Sequence, residues 1–448
     1  MFDDTKVGKT LFKFALPAVI SLLVLELYNM VDTIFVGRYI GTEAIGGLTV
    51  AFPIQRLIIA IAMLISVGAS THVARYLGEK NIESIKRTIV NSLILGIVFI
   101  LAVTVIVMVF KRNIIMYLGA SRAIYGFANS YISIIIIGGI FQCMSTVLCY
   151  IMNALGNTKM TLYSNLLGVA INIVMNYILI VLFGFGVWAS AVSTVVSQFA
   201  AFLYSIYKFV KIKSIFNIKF SYKGIISLYS SKTIFSIISV GLSTFIIEIS
   251  DAIVSVILNN LLNRNGGDSA IVVVGAITRI SMFMYVTIIG ISSAMQPIVA
   301  YNYGASKYDK IKEVLKITVA AVTITSSTLW VLFMIFANSI IGFFLTDADI
   351  LKEAVLAFRI CISVIPVIGI YYVAIYYYQA IEEAKLSFFF SIYRQLVIFI
   401  PAAIVLVQMF GTIGAWFAYP VSDIISFLSS VYFISKEING EKLAYIYK

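Results

Sequence analysis

Four carboxylates stand where carboxylates are costly. Glu26 and Asp32 lie inside the apolar run 10–36, and Glu248 and Asp251 lie inside the apolar run 232–262. On insertion scales an ionisable group in such a run costs roughly 2.5–3.5 kcal/mol, so it reads first as functional. The chemistry open to it is ion handling. A carboxylate facing water inside a membrane attracts a cationic substrate, binds a proton or coordinates Na⁺. Burial disfavours the charged form of a carboxyl group, which makes proton loading near neutral pH feasible. The structural alternative is an ion pair with Arg56, Arg279, Arg359 or Arg394, which also fall inside apolar runs. Asp423, in the last run, is a further candidate of the same kind.

Neutral polar residues extend this set. Asn172 and Asn176 are four apart, hence on one face of a helix. With Asp32, Thr194 and, as an outer member, Tyr131, they can make one hydrogen-bonded cluster. The competing reading is interhelical adhesion, a common use of Asn, Ser and Thr in membrane bundles. The tenth run holds Tyr371, Tyr372, Tyr376, Tyr377 and Tyr378. Tyrosines there suit a pocket for flat organic cations, or an interfacial aromatic belt, which fits Tyr376 to Tyr378 at least as well. Tyr28, Gln296, Tyr371 and Tyr372 are the expected lining of a substrate cavity. Pro17, Pro53, Pro297, Pro366 and Pro401 lie in or near helix interiors and mark hinges or tolerated bends.

Other chemistry finds no support. No GxxxxGK[ST] stretch is present, so ATP-driven pumping by this chain alone is not expected. His72 is the only histidine, and Cys143, Cys149 and Cys361 form no CxxC pair. This gives neither a His-based metal cluster nor a disulfide framework. No enzyme activity and no cofactor are expected, only a coupling ion, H⁺ or Na⁺, with Asp32 or Glu248 as its nearest acid.

The elements that must carry these residues are membrane helices. Of 448 residues, 61% are hydrophobic and 12% charged, with mean hydropathy +1.03. A soluble domain carries about 25% charged residues. The all-α reading places twelve transmembrane helices at 10–36, 44–76, 88–110, 127–156, 160–183, 187–209, 232–262, 270–302, 314–337, 354–381, 385–408 and 413–435. Helices are required because lone strands leave backbone groups unpaired in lipid. Runs beyond 25 residues imply tilt or extension past the hydrocarbon. Asp3 and Asp4, with no small-residue cleavage site after the first run, make that run a helix rather than a removed signal peptide. With the N-terminus inside, 22 of the 32 Lys and Arg fall on inner segments and 6 on outer loops. That bias predicts both termini in the cytoplasm. It also explains the net charge of +12 without nucleic acid.

The basic stretch 210–231 separates two sets of six helices. The expected organisation is therefore a lobe at 1–209, a cytoplasmic linker at 210–231 and a second lobe at 232–448. The halves resemble each other. Leu25–Asn29 matches Ile247–Asp251 at offset 222, Gly78–Arg87 matches Gly304–Glu313 at offset 226, and Gly186–Trp188 matches Gly414–Trp416 at offset 228. Glu26 and Glu248 occupy matching positions. Six helices per copy give a parallel repeat, and rocking one lobe against the other gives alternating access.

Tyr28-Asn29-Met30-Val31-Asp32-Thr33-Ile34-Phe35-Val36-Gly37-Arg38 closely resembles the first-helix motif of the MATE (multidrug and toxic compound extrusion) family. Gln296–Ala305 is similar to that family's eighth-helix motif. Ala154–Lys159 and Asn172–Asn176 fit its fourth-to-fifth-helix region. The likeness runs through the chain in order, with a bacterial DinF/MepA-like branch as the nearest group. It implies a twelve-helix, two-lobed antiporter of the bacterial cytoplasmic membrane, exporting organic compounds, often cations, against H⁺ or Na⁺; separately, the chain is expected to function as a monomer. It also implies a cation-responsive cluster of Asp32, Asn172, Asn176, Thr194 and Tyr131, with Glu248 at a second cation position. One departure stands out: Asn176 occupies a position that is commonly Asp. Asn releases no proton, and Glu26 is the candidate replacement charge. The rival reading is a lipid-linked oligosaccharide flippase, which needs cavity cations for a pyrophosphate head. A membrane scaffold without transport is the third.

Overall fold

In lipid the backbone satisfies its own polar groups, and the described residues accordingly fold as helices joined by short turns. The structure, a computed structural model, describes residues 7–118, 120, 122–216, 222–342 and 348–439. Its elements are α1 (Val7–Tyr39), α2 (Thr42–Gly78), α3 (Ile82–Tyr117), α4 (Arg122–Ala154), α5 (Lys159–Asn176), α6 (Val187–Ile215), α7 (Tyr222–Leu228), α8 (Ser231–Gly304), α9 (Tyr308–Ile335), α10 (Ala337–Gly342), α11 (Ala348–Ile362), α12 (Ile365–Ala380), α13 (Ala384–Ile392), α14 (Ile400–Phe410) and α15 (Thr412–Asn439). Two π-helical stretches, Tyr177–Leu182 and Tyr393–Phe399, continue α5 and join α13 to α14. Among the described residues eleven helices are long and apolar enough to cross a membrane, twelve if α11 and α12, bent by 49° at a break before Pro366, count as one span. The expected twelve runs are all represented, and the two runs at 232–262 and 270–302 both lie within α8.

The helix breaks repeat along the chain. Lys80 and Ser306 both take a left-handed backbone, with φ of 58° and 57°. Gly156 and Glu382 do the same, with φ of 93° and 60°, as do Gly184 and Gly411, with φ of 67° and 64°. The members of each pair lie 226 or 227 residues apart, close to the spacing of the sequence matches. For Lys80, Ser306 and Glu382 this conformation is unfavourable, since a Cβ crowds the following carbonyl. The same turns are therefore made in both halves, and at the first pair with the same non-glycine cost.

The chain divides into two compact units. One is Ile20–Glu248, here the N-terminal unit. The other, the C-terminal unit, is Ile249–Lys448 together with Met1–Val19. These cuts fall inside α1 and α8, unlike the expected division at 210–231. Within that basic stretch, residues 217–221 lie outside the described residues. The rest is not a bare loop. α6 extends to Ile215, and α7 follows at Tyr222. Asn91 of α3 anchors α7: its amide nitrogen donates to the Leu228 carbonyl (2.8 Å), and its side-chain oxygen accepts from the Ser230 N–H (3.0 Å).

In the N-terminal unit, the start of α8 packs backbone to backbone on α2. A Cβ at Gly68 would meet the Ile237 carbonyl, and one at Gly241 the Leu64 carbonyl. Next to this contact, His72 Nε2 and Ser236 Oγ are 2.6 Å apart. Ile58, Ile65, Ile85, Ile89 and Ile100 fill the interior of this unit, whereas α3 turns Val105, Ile106, Val109 and Phe110 outward, as a lipid-facing stripe requires.

Candidate functional site

Asp32 sits on α1 with 5% exposure. Three neutral donors converge on its carboxylate. The Asn172 amide donates to Oδ1 at 3.1 Å, the Asn176 amide to Oδ1 at 2.7 Å, and the Thr194 hydroxyl to Oδ2 at 2.8 Å. The helical spacing of Asn172 and Asn176 aims both amides at one oxygen, as their separation of four predicts. They also bond to each other, Asn176 donating to the Asn172 side-chain oxygen at 3.1 Å. Directly after Asn176 the helix widens into its π-helical stretch, a feature that clusters at functional sites. Among the described residues no Lys or Arg meets Asp32. One further polar atom of the centre, Asn176 Oδ1, is buried without a hydrogen-bond partner among the described residues.

The expected members divide as follows. Asp32, Asn172, Asn176 and Thr194 form the centre. Tyr28, expected in a substrate cavity, belongs to the centre's rim: its hydroxyl lies 2.9 Å from Ser197 Oγ and donates to the Thr194 carbonyl at 3.4 Å. Tyr131 is buried, but its hydroxyl accepts from Gln55 (2.9 Å) and makes no bond to Asp32.

A second acidic group lies in the same unit. Glu248 pairs with Arg56 at 3.3 Å, each side chain about one-fifth exposed. Arg56 also stacks over Phe52, 5.0 Å from its centroid. The half-buried Glu26 makes no hydrogen bond among the described residues, and Arg56 is the basic group that acts on it. Glu26 therefore does not join Asp32. Of the repeat-related acids Glu26 and Glu248, Glu248 is the one that Arg56 contacts directly.

In the C-terminal unit the candidates meet different partners. Asp251 is exposed and accepts from the Gln395 amide. Gln296 is buried, donating to Gln379 at 3.3 Å. Tyr371 and Tyr372 are buried as well. The Tyr371 hydroxyl donates to the Phe390 carbonyl and accepts from the Arg394 N–H (3.2 Å), and the Tyr372 hydroxyl accepts from Arg394 Nη1 (3.3 Å). Arg394 itself pairs with Asp423 at 2.7 Å. Arg279 and Arg359 are exposed. Tyr376, Tyr377 and Tyr378 do not form a belt. They are buried, and the last two donate to Glu437 at 3.2 and 3.3 Å. Sequence reasoning missed this acid because Glu437 follows Lys436 at the end of the last helix, where a charge reads as water-exposed. Among the described residues no three His, Cys, Asp or Glu converge as a metal-binding group.

Comparison with known proteins follows the same outline. The MatE family model matches residues 17–178 and 239–405. The multidrug export protein MepA of Staphylococcus aureus (strain MSSA476) is 23% identical over 430 residues, covering 96% of this chain and 94% of that protein. MepA of Staphylococcus saprophyticus is 24% identical over 448 residues, covering 98% and 97%. Among solved structures, MATE in complex with MaL6 superposes with a TM-score of 0.91 at 22% identity, covering 97% of each chain.

Proposed function

This chain belongs to the MatE family, and from that premise we propose that it is a secondary active exporter of organic compounds, often cationic, that takes up H⁺ or Na⁺ in exchange. One observation carries the reading: Asp32 is a buried carboxylate held by neutral donors alone. A buried charge without a counter-charge is expensive. It is tolerated where a mobile cation or a proton arrives to cancel it. The oxygens available there suit either ion: two from Asp32, the Thr194 hydroxyl and the Asn176 side-chain oxygen, which has no hydrogen-bond partner among the described residues. Asn176 in place of Asp leaves the centre with one negative charge, hence one exchangeable positive charge.

The relatives' printed name, multidrug export protein, supports an organic substrate. The arginines support export over the flippase reading. Arg56 and Arg394 each face a carboxylate and so offer little to a pyrophosphate head. Two lobes of six helices, rocking to open on either side, would bring the Asp32 centre to water in turn, with both termini in the cytoplasm.

The test is efflux of an organic cation from vesicles, with a pH gradient and a Na⁺ gradient imposed separately. One gradient should drive efflux in the wild type and fail in Asp32→Asn. If neither gradient drives it, the exchange reading is wrong.

A further inference from the structure

Arg394 sits in surroundings that are familiar from the other side of recognition. Its Nε donates to Asp423 Oδ1 at 2.7 Å, its Nη2 to the Tyr285 hydroxyl at 2.9 Å and its Nη1 to the Tyr372 hydroxyl at 3.3 Å. The guanidinium carbon also lies 5.3 Å from the Tyr285 ring centroid and 5.9 Å from that of Tyr372. The two rings stand edge to face, 6.1 Å apart at 64°. One carboxylate and two angled phenol rings around a planar cation are the components with which proteins bind guanidinium and ammonium ligands. Here the cation is part of the chain.

The backbone is shaped for this placement. Arg394 is the second residue of the π-helical stretch Tyr393–Phe399, and its N–H is fixed by the Tyr371 hydroxyl. The other π-helical stretch begins right after Asn176, on the equivalent helix of the first half. Asp423 lies on the last helix, next to the residue that the 228 offset relates to Thr194. Each half thus buries one carboxylate against a residue on its penultimate helix. In the first half the partner is a neutral amide, in the second a permanent cation.

We propose that Tyr285, Tyr372 and Asp423 form a guanidinium-binding cage that Arg394 fills permanently, so that the C-terminal unit carries a resident cation at this acid. The contrast with an exchangeable cation at Asp32 rests on the function proposed above, whereas the cage does not. Asp423 is fully buried and Tyr285 is partly exposed, so a small cation would enter from the Tyr285 side once the arginine side chain is removed. The ligand class is the free guanidinium ion and its monoalkyl derivatives. Tetramethylammonium lacks the N–H donors that Asp423 and the two hydroxyls accept from.

The experiment is thermal unfolding of the purified full chain, with and without millimolar guanidinium chloride, against equal NaCl and tetramethylammonium chloride. Arg394→Ala should melt below the wild type and regain most of the loss with guanidinium alone. The wild type, whose cage is filled, and Arg394→Ala/Asp423→Asn, whose acid is gone, should not respond. An Arg394→Ala protein as stable as the wild type, or one indifferent to guanidinium, overturns the proposal. So does a double variant that responds as strongly as the single one. Should Arg394→Ala fail to accumulate in membranes, normal accumulation of the double variant supports an acid that requires its resident cation, and failure of both overturns it. Unfolding is read without transport, so a negative result in the efflux experiment leaves this test intact.

Discussion

At the residue scale, the centre depends on hydrogen bonds that end on a charge. Such bonds are worth about 1.5–3 kcal/mol each. Thr194→Val removes the hydroxyl that donates to Asp32 Oδ2 while keeping the side chain's shape. It should slow gradient-driven efflux about tenfold or more, in line with that energy, while the protein still inserts and binds substrate, as checked by efflux rate against equilibrium substrate binding. Arg56 and Glu248 behave as a pair. Removing one partner strands the other in a partly buried site, whereas removing both does not. Glu248→Gln should therefore lower the melting temperature more than Arg56→Gln/Glu248→Gln does, and equal losses in the two proteins would show that the pair is not coupled. The Asp32 cluster was legible in the sequence because helical periodicity relates Asn172 to Asn176 and the apolar context marks Asp32. The Arg394–Asp423 pair was not legible. Its members belong to different helices, and no periodicity relates residues across a helix interface. Read along the chain, Arg394 has five candidate acids, Glu26, Asp32, Glu248, Asp251 and Asp423, and nothing to choose between them.

At the element scale, two glycines control how closely α2 and the start of α8 approach. A side chain at Gly68 or Gly241 would strike a backbone carbonyl, which cannot rotate away. Gly68→Leu and Gly241→Leu should each destabilise the protein by more than the ~1–3 kcal/mol of ordinary overpacking. Gly126→Ala, with nothing within 4 Å of the added Cβ, should be neutral or slightly stabilising. Melting temperatures of the three variants check this, and equal values would refute the close contact. The extents of most helices were readable from hydropathy. The π-helical stretches were not, since one extra residue per turn leaves no mark on an apolar run. The helix α7 was hidden for another reason: it is held by Asn91, a residue far away in sequence.

At the scale of the whole molecule, orientation rests on the Lys and Arg bias, which is a statement about charge and the membrane potential rather than about packing. Lys223 and Lys352 are exposed, while Cys143, Cys149 and Cys361 are buried. A membrane-impermeant thiol reagent should label Lys223→Cys only from the cytoplasmic side and Lys352→Cys only from outside. Labelling of both from one side would break the predicted topology. The paired turns at Lys80 and Ser306, Gly156 and Glu382, and Gly184 and Gly411 give the internal repeat a backbone counterpart.

What the sequence determined by itself was the solvent and the class: a chain this apolar folds only in lipid, only as helices, and in two similar copies. It also marked the acids that lipid makes costly. What tertiary structure decided was which of those acids has a counter-charge. Glu248 and Asp423 each meet an arginine, and Asp32 meets none among the described residues. That difference arises from helices brought together by packing, and electrostatic compensation over a few ångströms is fixed by that packing and not by the order of residues along the chain.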